Sequence, residues 1–340
     1  MESILKTSKI IKSLIRATYS GLAILLFITL SLLNISIIFA STNEQAVIAI
    51  TKIVEHPSLV QAEKGIMDVL SEHGYEVGKN LRVIEKNAQG SIANAALIAG
   101  QFASLSPDAI VAISTPSAQT VKNAIIGTDI PLVFSSVTDP VSAGLVKNLT
   151  KPVQNITGAI DFPLINEEIK LMQDLLPKVQ TIGFLYNSGE ANSVKTVNLM
   201  KQAMAGDLKY IEMAITDSNQ ITQGFSNLLS RVDAIYIPSD NAVFAAMPKL
   251  VNMSRKHKMP IFSSDPDSVK QGILACIGYT QYEVGRTAGE LLVGTLSGSK
   301  KLLVKKPSKA EIFINQRTAD IMKIKIPSKL LDEPSVTIIK

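Results

Sequence analysis

The sequence predicts an α/β protein of two doubly wound parallel-sheet lobes joined by a multi-strand hinge. Three observations predict it. From Ala46 onward, short β-branched apolar runs alternate with amphipathic stretches of helical period, the signature of βαβ units. Near Thr181 the alternation starts again. And three strand–loop phrases recur in the same order in both halves: "AVIAITKIVEHPS" with "TIGFLYNSGEANS", "PDAIVAISTPSA" with "VDAIYIPSDNAV", and "PLVFSSVTD" with "PIFSSDPD". Two long units make a duplicated lobe, not a solenoid.

The first half reads as follows. "AVIAITKIV" is short, β-branched and apolar, hence a strand. Ser58 then opens a helix that Gly74 ends, with Leu59, Ala62, Ile66, Val69 and Leu70 on one face. "NLRVIEKNA" is the next strand and "IANAALIAGQFASL" the next helix. "DAIVAIS" is almost wholly apolar, as a central strand covered on both faces must be. A further helix leads to the strand "PLVFSS". "NITGAIDFP" (155–163) then joins the halves.

In the second half "TIGFLYN" is a strand and "ANSVKTVNLMKQAMAG" a helix. "LKYIEMAIT" is a strand, followed by a helix capped by Ser218. "DAIYIPS" is a strand, and the long helix after it contains Pro248, which predicts a kink. "PIFSS" and "ILACIGY" are strands. One more amphipathic helix, "QYEVGRTAGELLVGTLSG", precedes "AEIFINQRTADIM". In two-lobed proteins of this kind such a late helix returns to the first lobe, so crossings are expected near 158–162, 278–281 and 310–315. Lobe one is then 41–160 plus about 280–310, and lobe two 161–279 plus about 311–340.

Residues 1–40 stand apart. Lys6, Lys9, Lys12 and Arg16 precede an uncharged apolar run from Gly21 to Ala40. This reads as a signal peptide, or as a retained N-terminal anchor, since the run is long enough to span a bilayer. Both readings place the rest of the chain in the periplasm or elsewhere outside the cytoplasmic membrane. No Cys lies near the cleavage region, which excludes a lipid-anchored start. These residues also carry most of the apparent basicity. Without them and Glu2 the net charge of +5 falls to +2, and the case for a nucleic-acid partner goes with it.

The chemistry is concentrated in six loops. Ligands bind at the carboxyl ends of strands in doubly wound sheets. In lobe one those ends are "VEHPS", "STPSAQ" and "SSVTDP", offering His56, Pro57, Thr115, Ser117, Ala118, Ser135, Ser136, Val137, Thr138 and Asp139. In lobe two they are "YNSGEANS", "PSDNAV" and "SSDPDS", offering Tyr186, Asn187, Glu190, Asn192, Ser239, Asp240, Asn241, Asp265 and Asp267. Asp161 joins them from the connecting segment. Lobe one presents neutral donors and a helix start at Pro116, which favours an anion such as a carboxylate. Lobe two presents acids, which suit an ammonium group. A ligand bridging the two would carry both, as an amino acid does. Each acid alone is equally an ordinary helix cap, and Asp139 is most simply one.

Micromolar affinity needs about 8 kcal/mol. Two or three charge-assisted hydrogen bonds at roughly 1.5–3 kcal/mol each, plus apolar burial, suffice. Tyr186, Phe134 and Phe162 are candidates for the apolar wall. The lone Cys276 excludes an internal disulfide and lies in an apolar run. The three histidines have no metal spacing, and there is no GxGxxG, no phosphate loop and no GxSxG elbow. No cofactor and no catalytic constellation is expected; the chain is not read as an enzyme.

The phrases "EHPSL", "NAQG", "TPSAQ", "VFSSVTDPVSAGLV", "NITG", "LLPKVQTIGFLYNSGEANS" and "VDAIYIPSDNAV", with the Tyr282, Gly285, Arg286 and Gly289 pattern, resemble the ABC transporter substrate-binding protein family of type I periplasmic-binding fold. The resemblance runs through nearly all of residues 46–320. Some members are associated with tryptophan or tyrosine uptake. It implies a monomeric solute receptor that closes like a hinged clam and docks on an ABC permease. It also implies carboxylate contacts around Thr115, Ser117 and Thr138, amine contacts around Asp240, and Asn187 and Asn192 in the same cleft. A ligand-sensing domain of a membrane-tethered signalling system, or a site for a nucleoside or sugar, remains the alternative.

Overall fold

The computed structural model describes residues 45–151, 155–204, 206, 208–299 and 302–340. The expected leader or anchor, residues 1–40, lies outside them. Ala46–Lys340 form one folded unit containing two sheets. Among the described residues no helix is long and apolar enough to cross a membrane.

The first sheet holds β1 (Ala46–Lys52), β2 (Leu81–Asn87), β3 (Ala109–Ile113), β4 (Leu132–Val137) and β5 (Ile156–Ile160). All pairs are parallel, in the order β2-β1-β3-β4-β5. The strand β3 is the sequence Ala-Ile-Val-Ala-Ile, and every residue of it is buried. The apolar run therefore forms the middle of a sheet covered on both sides. The helices α1 (Pro57–Glu72), α2 (Ile92–Leu105) and α3 (Thr115–Ala124) connect these strands. A fourth helix arrives much later in the chain, as described below. Between Phe134 and Val137 the β4–β5 register shifts, so Ser135 and Ser136 sit on an irregularity at the end of the sheet. Such a bulge re-aims side chains where pairing stops.

The chain then enters α4 (Ile165–Leu175), β6 (Thr181–Asn187), α5 (Ala191–Ala203) and β7 (Lys209–Ile215). Next come α6 (Ile221–Leu228), β8 (Ala234–Ile237), α7 (Asn241–Ala245), α8 (Met247–His257), β9 (Ile261–Ser263), α9 (Pro266–Gln271) and β10 (Ala275–Gly278). The element α10 (Gln281–Leu296) follows, then β11 (Glu311–Asn315), α11 (Gln316–Met322), α12 (Ser328–Leu331) and β12 (Val336–Ile339). The second sheet runs β12-β11-β10-β9-β8-β6-β7. It is parallel except where β11 meets β10.

Three local readings need correcting. Ser58 does not cap α1: the helix starts one residue earlier at Pro57, His56 is the flanking residue, and Ser58 turns its hydroxyl elsewhere. Proline's fixed φ suits a first helical position, which moves the start upstream. Ser218 opens a short 3₁₀ turn, and Asp217 is its capping side chain. Pro248 breaks rather than kinks: α7 ends at Ala245 and α8 begins at Met247, with the proline in its first turn.

The helix α10 leaves the second sheet and packs on the first, against α1, β4 and β5. Its Val284, Ala288, Leu291 and Leu292 belong to the same buried cluster as Leu59, Ala62 and Ile66 of α1. Each large side chain so buried contributes roughly 1.5–3 kcal/mol. Glycines set how near the two helices come. A Cβ on Gly285 would run into the backbone of Ala62, and one on Gly65 into the Tyr282 carbonyl. Arg286 adds a two-pronged ion pair to Glu72 at 2.7 and 2.8 Å. After α10 the Lys305 backbone pairs with Gly158 and Ile160 on the edge of the first sheet before the chain returns to β11. Three segments therefore cross between the sheets: after β5, after β10, and after Lys305.

Candidate functional site

The cleft lies between the carboxyl ends of the two sheets. A small cavity of about 20 Å³ lies there. Lobe one contributes His56, Ser58, Leu59, Ser136 and Thr138; lobe two contributes Asn192, Ser239, Asn241 and Phe244; the crossing segments contribute Asp161 and Gln281. A larger hollow of about 370 Å³ opens beside Asp129, Leu132, Asn155 and Thr157, at the other end of β4 and β5. No unpaired buried polar side-chain atom lines it among the described residues, so the polar chemistry belongs to the smaller one.

The helix starts differ between lobes, and for a physical reason. In lobe two, carboxylates occupy the starts of α7 and α9, while α5 has no side-chain cap bond. Asp240 accepts from Asn187 N–H at 2.6 Å, Val243 N–H at 2.9 Å and Ser193 Oγ–H at 2.7 Å. Glu190 accepts from the N–H groups of Asn241 and Ala242 at the α7 start, and from the Asn192 and Asn241 amides. Asp265 accepts from Ser268 N–H and Oγ–H. All three are buried, and burial raises all three pKa values. Glu190 and Asp265 go up to about 7, the former pushed further by Asp240 and the latter by Asp267. In lobe one, neither His56 nor Ser114 caps its helix with a side chain. The first bonded amide of α3 is that of Ala118, to Ser114 O. The end of lobe one therefore keeps its positive helix-terminal field open.

Backbone strain marks the same place. Ser114 has φ 94° and Ser136 φ 56°, at the ends of β3 and β4. Non-glycine residues held there cost of order 1–3 kcal/mol, and such costs gather at binding sites. Ser136 Oγ donates to Gln281 Oε1 at 2.6 Å, and Gln281 Nε2 donates to Asp161 Oδ2 at 2.8 Å. One glutamine thus ties a lobe-one loop to the first crossing segment from the second.

Of the residues proposed from sequence, His56, Ser136, Thr138, Asp161, Asn192, Ser239 and Asn241 line the cavity. Thr115, Ser117 and Ala118 start α3 and are buried, but do not line the cavity; Ser135 contacts Ser136 at 3.5 Å. Pro57 is the first residue of α1. Val137 and Phe134 are core residues. Asp139 accepts from Val141 and Ser142 N–H and pairs with Lys195 of α5 at 3.2 Å. Tyr186 donates its hydroxyl to Glu212 at 2.9 Å, within lobe two. Asn187 binds Gly189 N–H. Asp240 is fully buried with its oxygens engaged, and Asp265 accepts Ser58 Oγ–H across the cleft at 2.9 Å. Ser58, read as a helix cap, and Leu59, Phe244 and Gln281 were not anticipated as lining residues. Phe244 could have been found as the aromatic one turn past Asp240; Gln281 had no signal beyond its place at a crossing.

Buried polar atoms without partners converge here. His56 Nδ1, Asp161 Oδ1 and Asn192 Oδ1 belong to residues that line the cavity; Thr115 Oγ1 at the start of α3, and Asp265 Oδ1 and Asp267 Oδ2 past β9, lie at other strand ends. Each such orphan costs roughly 1–3 kcal/mol, so unmet hydrogen-bonding capacity from both lobes is gathered at these strand ends. Among the described residues no group of three His, Cys, Asp or Glu is placed to hold a metal ion.

Comparison with known proteins agrees with this architecture. The profile of the family described as ABC transporter substrate binding protein matches residues 47–338. The chain is 38% identical over 280 residues to a tyrosine-binding protein of Clostridioides difficile, covering 82% of this chain and 81% of the relative. A Streptococcus pneumonia ABC domain solved in complex with L-Trp superposes with a TM-score of 0.82 at 33% identity, over 87% of this chain and all of that one. A ligand-free, open substrate-binding protein from Clostridium difficile, with adhesive properties, gives 0.64 at 34% identity, over 87% and 99%. Solved sugar- and polyol-bound relatives at 14–16% identity share the type I periplasmic-binding fold alone. With its two parallel-sheet lobes, its polar cleft and a profile match over nearly its whole folded length, the chain belongs to the ABC transporter substrate-binding protein family, whose members bind solutes rather than transform them.

Proposed function

We propose that this protein is the extracytoplasmic receptor of an ABC importer and binds an aromatic amino acid between its lobes. The observation that carries the ligand class is the division of orphaned groups. Thr115 Oγ1 and the open start of α3 lie on one side, and the acceptors Asp161 Oδ1 and Asn192 Oδ1 on the other. A carboxylate fits the first and an ammonium the second. Asp161 takes the amine in place of Asp240, whose oxygens already serve three donors. The aromatic side chain is supported by the tyrosine-binding and L-Trp-bound relatives.

Hinge closure is part of the reading. The two relatives of nearly equal identity superpose unequally, and this chain follows the L-Trp complex more than the open form. A cavity of about 20 Å³ admits no amino acid, so loading requires the lobes to part. A ligand touching both lobes then favours their return. A partner permease and an export signal in residues 1–40 complete the proposal.

Calorimetric titration with tyrosine, tryptophan and phenylalanine, beside glucose and adenosine, tests it. An aromatic amino acid should bind with micromolar or tighter affinity. Binding of the sugar or nucleoside alone would sink the zwitterion reading.

A further inference from the structure

Among the orphans on residues that line the cavity, one is left over once the carboxylate and the ammonium are placed: His56 Nδ1. Its geometry defines what it wants. Asn241 Nδ2 donates to Glu190 Oε2 at 2.5 Å, which fixes the amide so that Oδ1 faces His56. His56 Nε2 lies 3.4 Å from that oxygen, which can only accept. Nε2 therefore carries the hydrogen, and Nδ1 presents a bare lone pair. That lone pair is buried and has no partner. Burial holds the ring neutral, lowering its pKa to about 4.

The ring also makes an apolar contact across the cleft. His56 of lobe one meets Phe244 of lobe two edge to face, with centroids 5.6 Å apart and planes at 83°. Both line the cavity, with Leu59 beside them. The pair belongs to different lobes, so opening separates it and leaves a slot between two rings with one acceptor in its wall. A flat side chain fills such a slot, and one bearing an O–H or N–H satisfies the acceptor.

We propose that His56 and Phe244 form the side-chain pocket of the site, and that His56 Nδ1 accepts a hydrogen bond from a donor on the ligand's aromatic ring. The preferred ligand is then tyrosine or tryptophan, and phenylalanine is discriminated against. This rests on the amino-acid reading of the cleft. A site built around a buried hydrogen bond rejects the analogue that lacks the donor, because the acceptor is again orphaned.

The test is a matrix of dissociation constants for tyrosine, tryptophan and phenylalanine against wild type, His56→Leu and His56→Asn. Wild type should bind tyrosine or tryptophan about 10–100-fold more tightly than phenylalanine. His56→Leu should erase that ratio: only a ligand with a ring donor loses a hydrogen bond to Nδ1, while loss of the Nε2 contact with Asn241 and of the edge-to-face contact with Phe244 falls on all three ligands alike. His56→Asn, whose Oδ1 stands near the lost Nδ1, should recover part of it. A wild-type ratio near one overturns the proposal. So does equal weakening of all three ligands in His56→Leu, which would place Nδ1 on the shared amine. If none of the three binds wild type, the amino-acid reading itself fails, and this proposal with it. Side-chain nitrogen NMR of the wild type gives an answer without any variant: the Nδ1 signal of His56 should shift on adding tyrosine or tryptophan and stay put with phenylalanine.

Discussion

Ser58 Oγ of lobe one donates to Asp265 Oδ2 of lobe two at 2.9 Å. The same oxygen receives Ser268 N–H and Oγ–H, so the cross-cleft bond is an addition to a carboxylate already held in its own lobe. Removing it costs closure and not folding. Ser58→Ala should weaken ligand binding about 3–10-fold, the size of one modest hydrogen bond. The melting temperature of the ligand-free protein should move by less than about 2 °C.

The same carboxylate makes folding stability depend on pH. Burial first, and the neighbouring Asp267 second, raise Asp265 to about 7. The buried form keeps its proton where an exposed aspartate has lost it. The resulting contribution to folding is full at low pH and is lost as pH rises through about 7. Urea unfolding of the ligand-free protein should give a higher stability at pH 5 than at pH 8. Asp265→Asn should reduce the difference, with Glu190 contributing in the same range.

Two aspartates that look alike in sequence should respond oppositely. Asp240 serves three donors inside lobe two, so Asp240→Asn sets an amide N–H against one of them and should lower folding stability by about 1–3 kcal/mol. Asp161 has one oxygen on Gln281 and one unpaired. Asp161→Asn should leave unfolding by urea within about 1 kcal/mol while weakening ligand binding at least tenfold. The reverse pattern would return the amine to Asp240.

Lobe two carries an unrelated titration. Glu168 of α4 is buried, accepts the Tyr236 hydroxyl at 2.5 Å, and has a second oxygen with no partner. Burial raises its pKa to about 8. Stability from the protonated carboxyl is present at low pH and is lost as pH rises through 8. Glu168→Gln should make urea stability decline less steeply between pH 5 and pH 8 than in the parent protein, the remaining slope belonging to Glu190 and Asp265.

At the contact of α1 with α10, Gly285→Val should be severe. Any Cβ there meets the Ala62 backbone, which cannot yield as a side-chain end can. Loss of several kcal/mol of folding stability is expected, as for other overpacked cores. Gly298→Ala, with open space around it but φ at 83°, should cost only about 1–2 kcal/mol.

The duplicated lobes were legible because buried parallel strands must be apolar throughout; β3 and β8 are such runs, with every residue buried. The six loops were legible because strand ends in this topology face one cleft. What the acids do there was not. Aspartate at a helix start reads the same whether it faces a ligand or its own amides. Burial and the third donor decided for Asp240. Nor could sequence show that Gln281 reaches Ser136 and Asp161, residues 145 and 120 positions away. The helix α4 escaped notice because its apolar face is interrupted by charged residues, among them Glu168, itself buried.

The return of α10 to lobe one sets an order of events in folding. The apolar stripe of α1, from Leu59 to Leu70, is covered by side chains that lie more than two hundred residues later. Until Leu296 has been made, the stripe of α1 and the adjoining parts of β4 and β5 lack the helix that covers them, although all five strands are already present. Contacts of such sequence separation slow folding. A nascent chain of this design stays loose almost to its end, then completes both halves together.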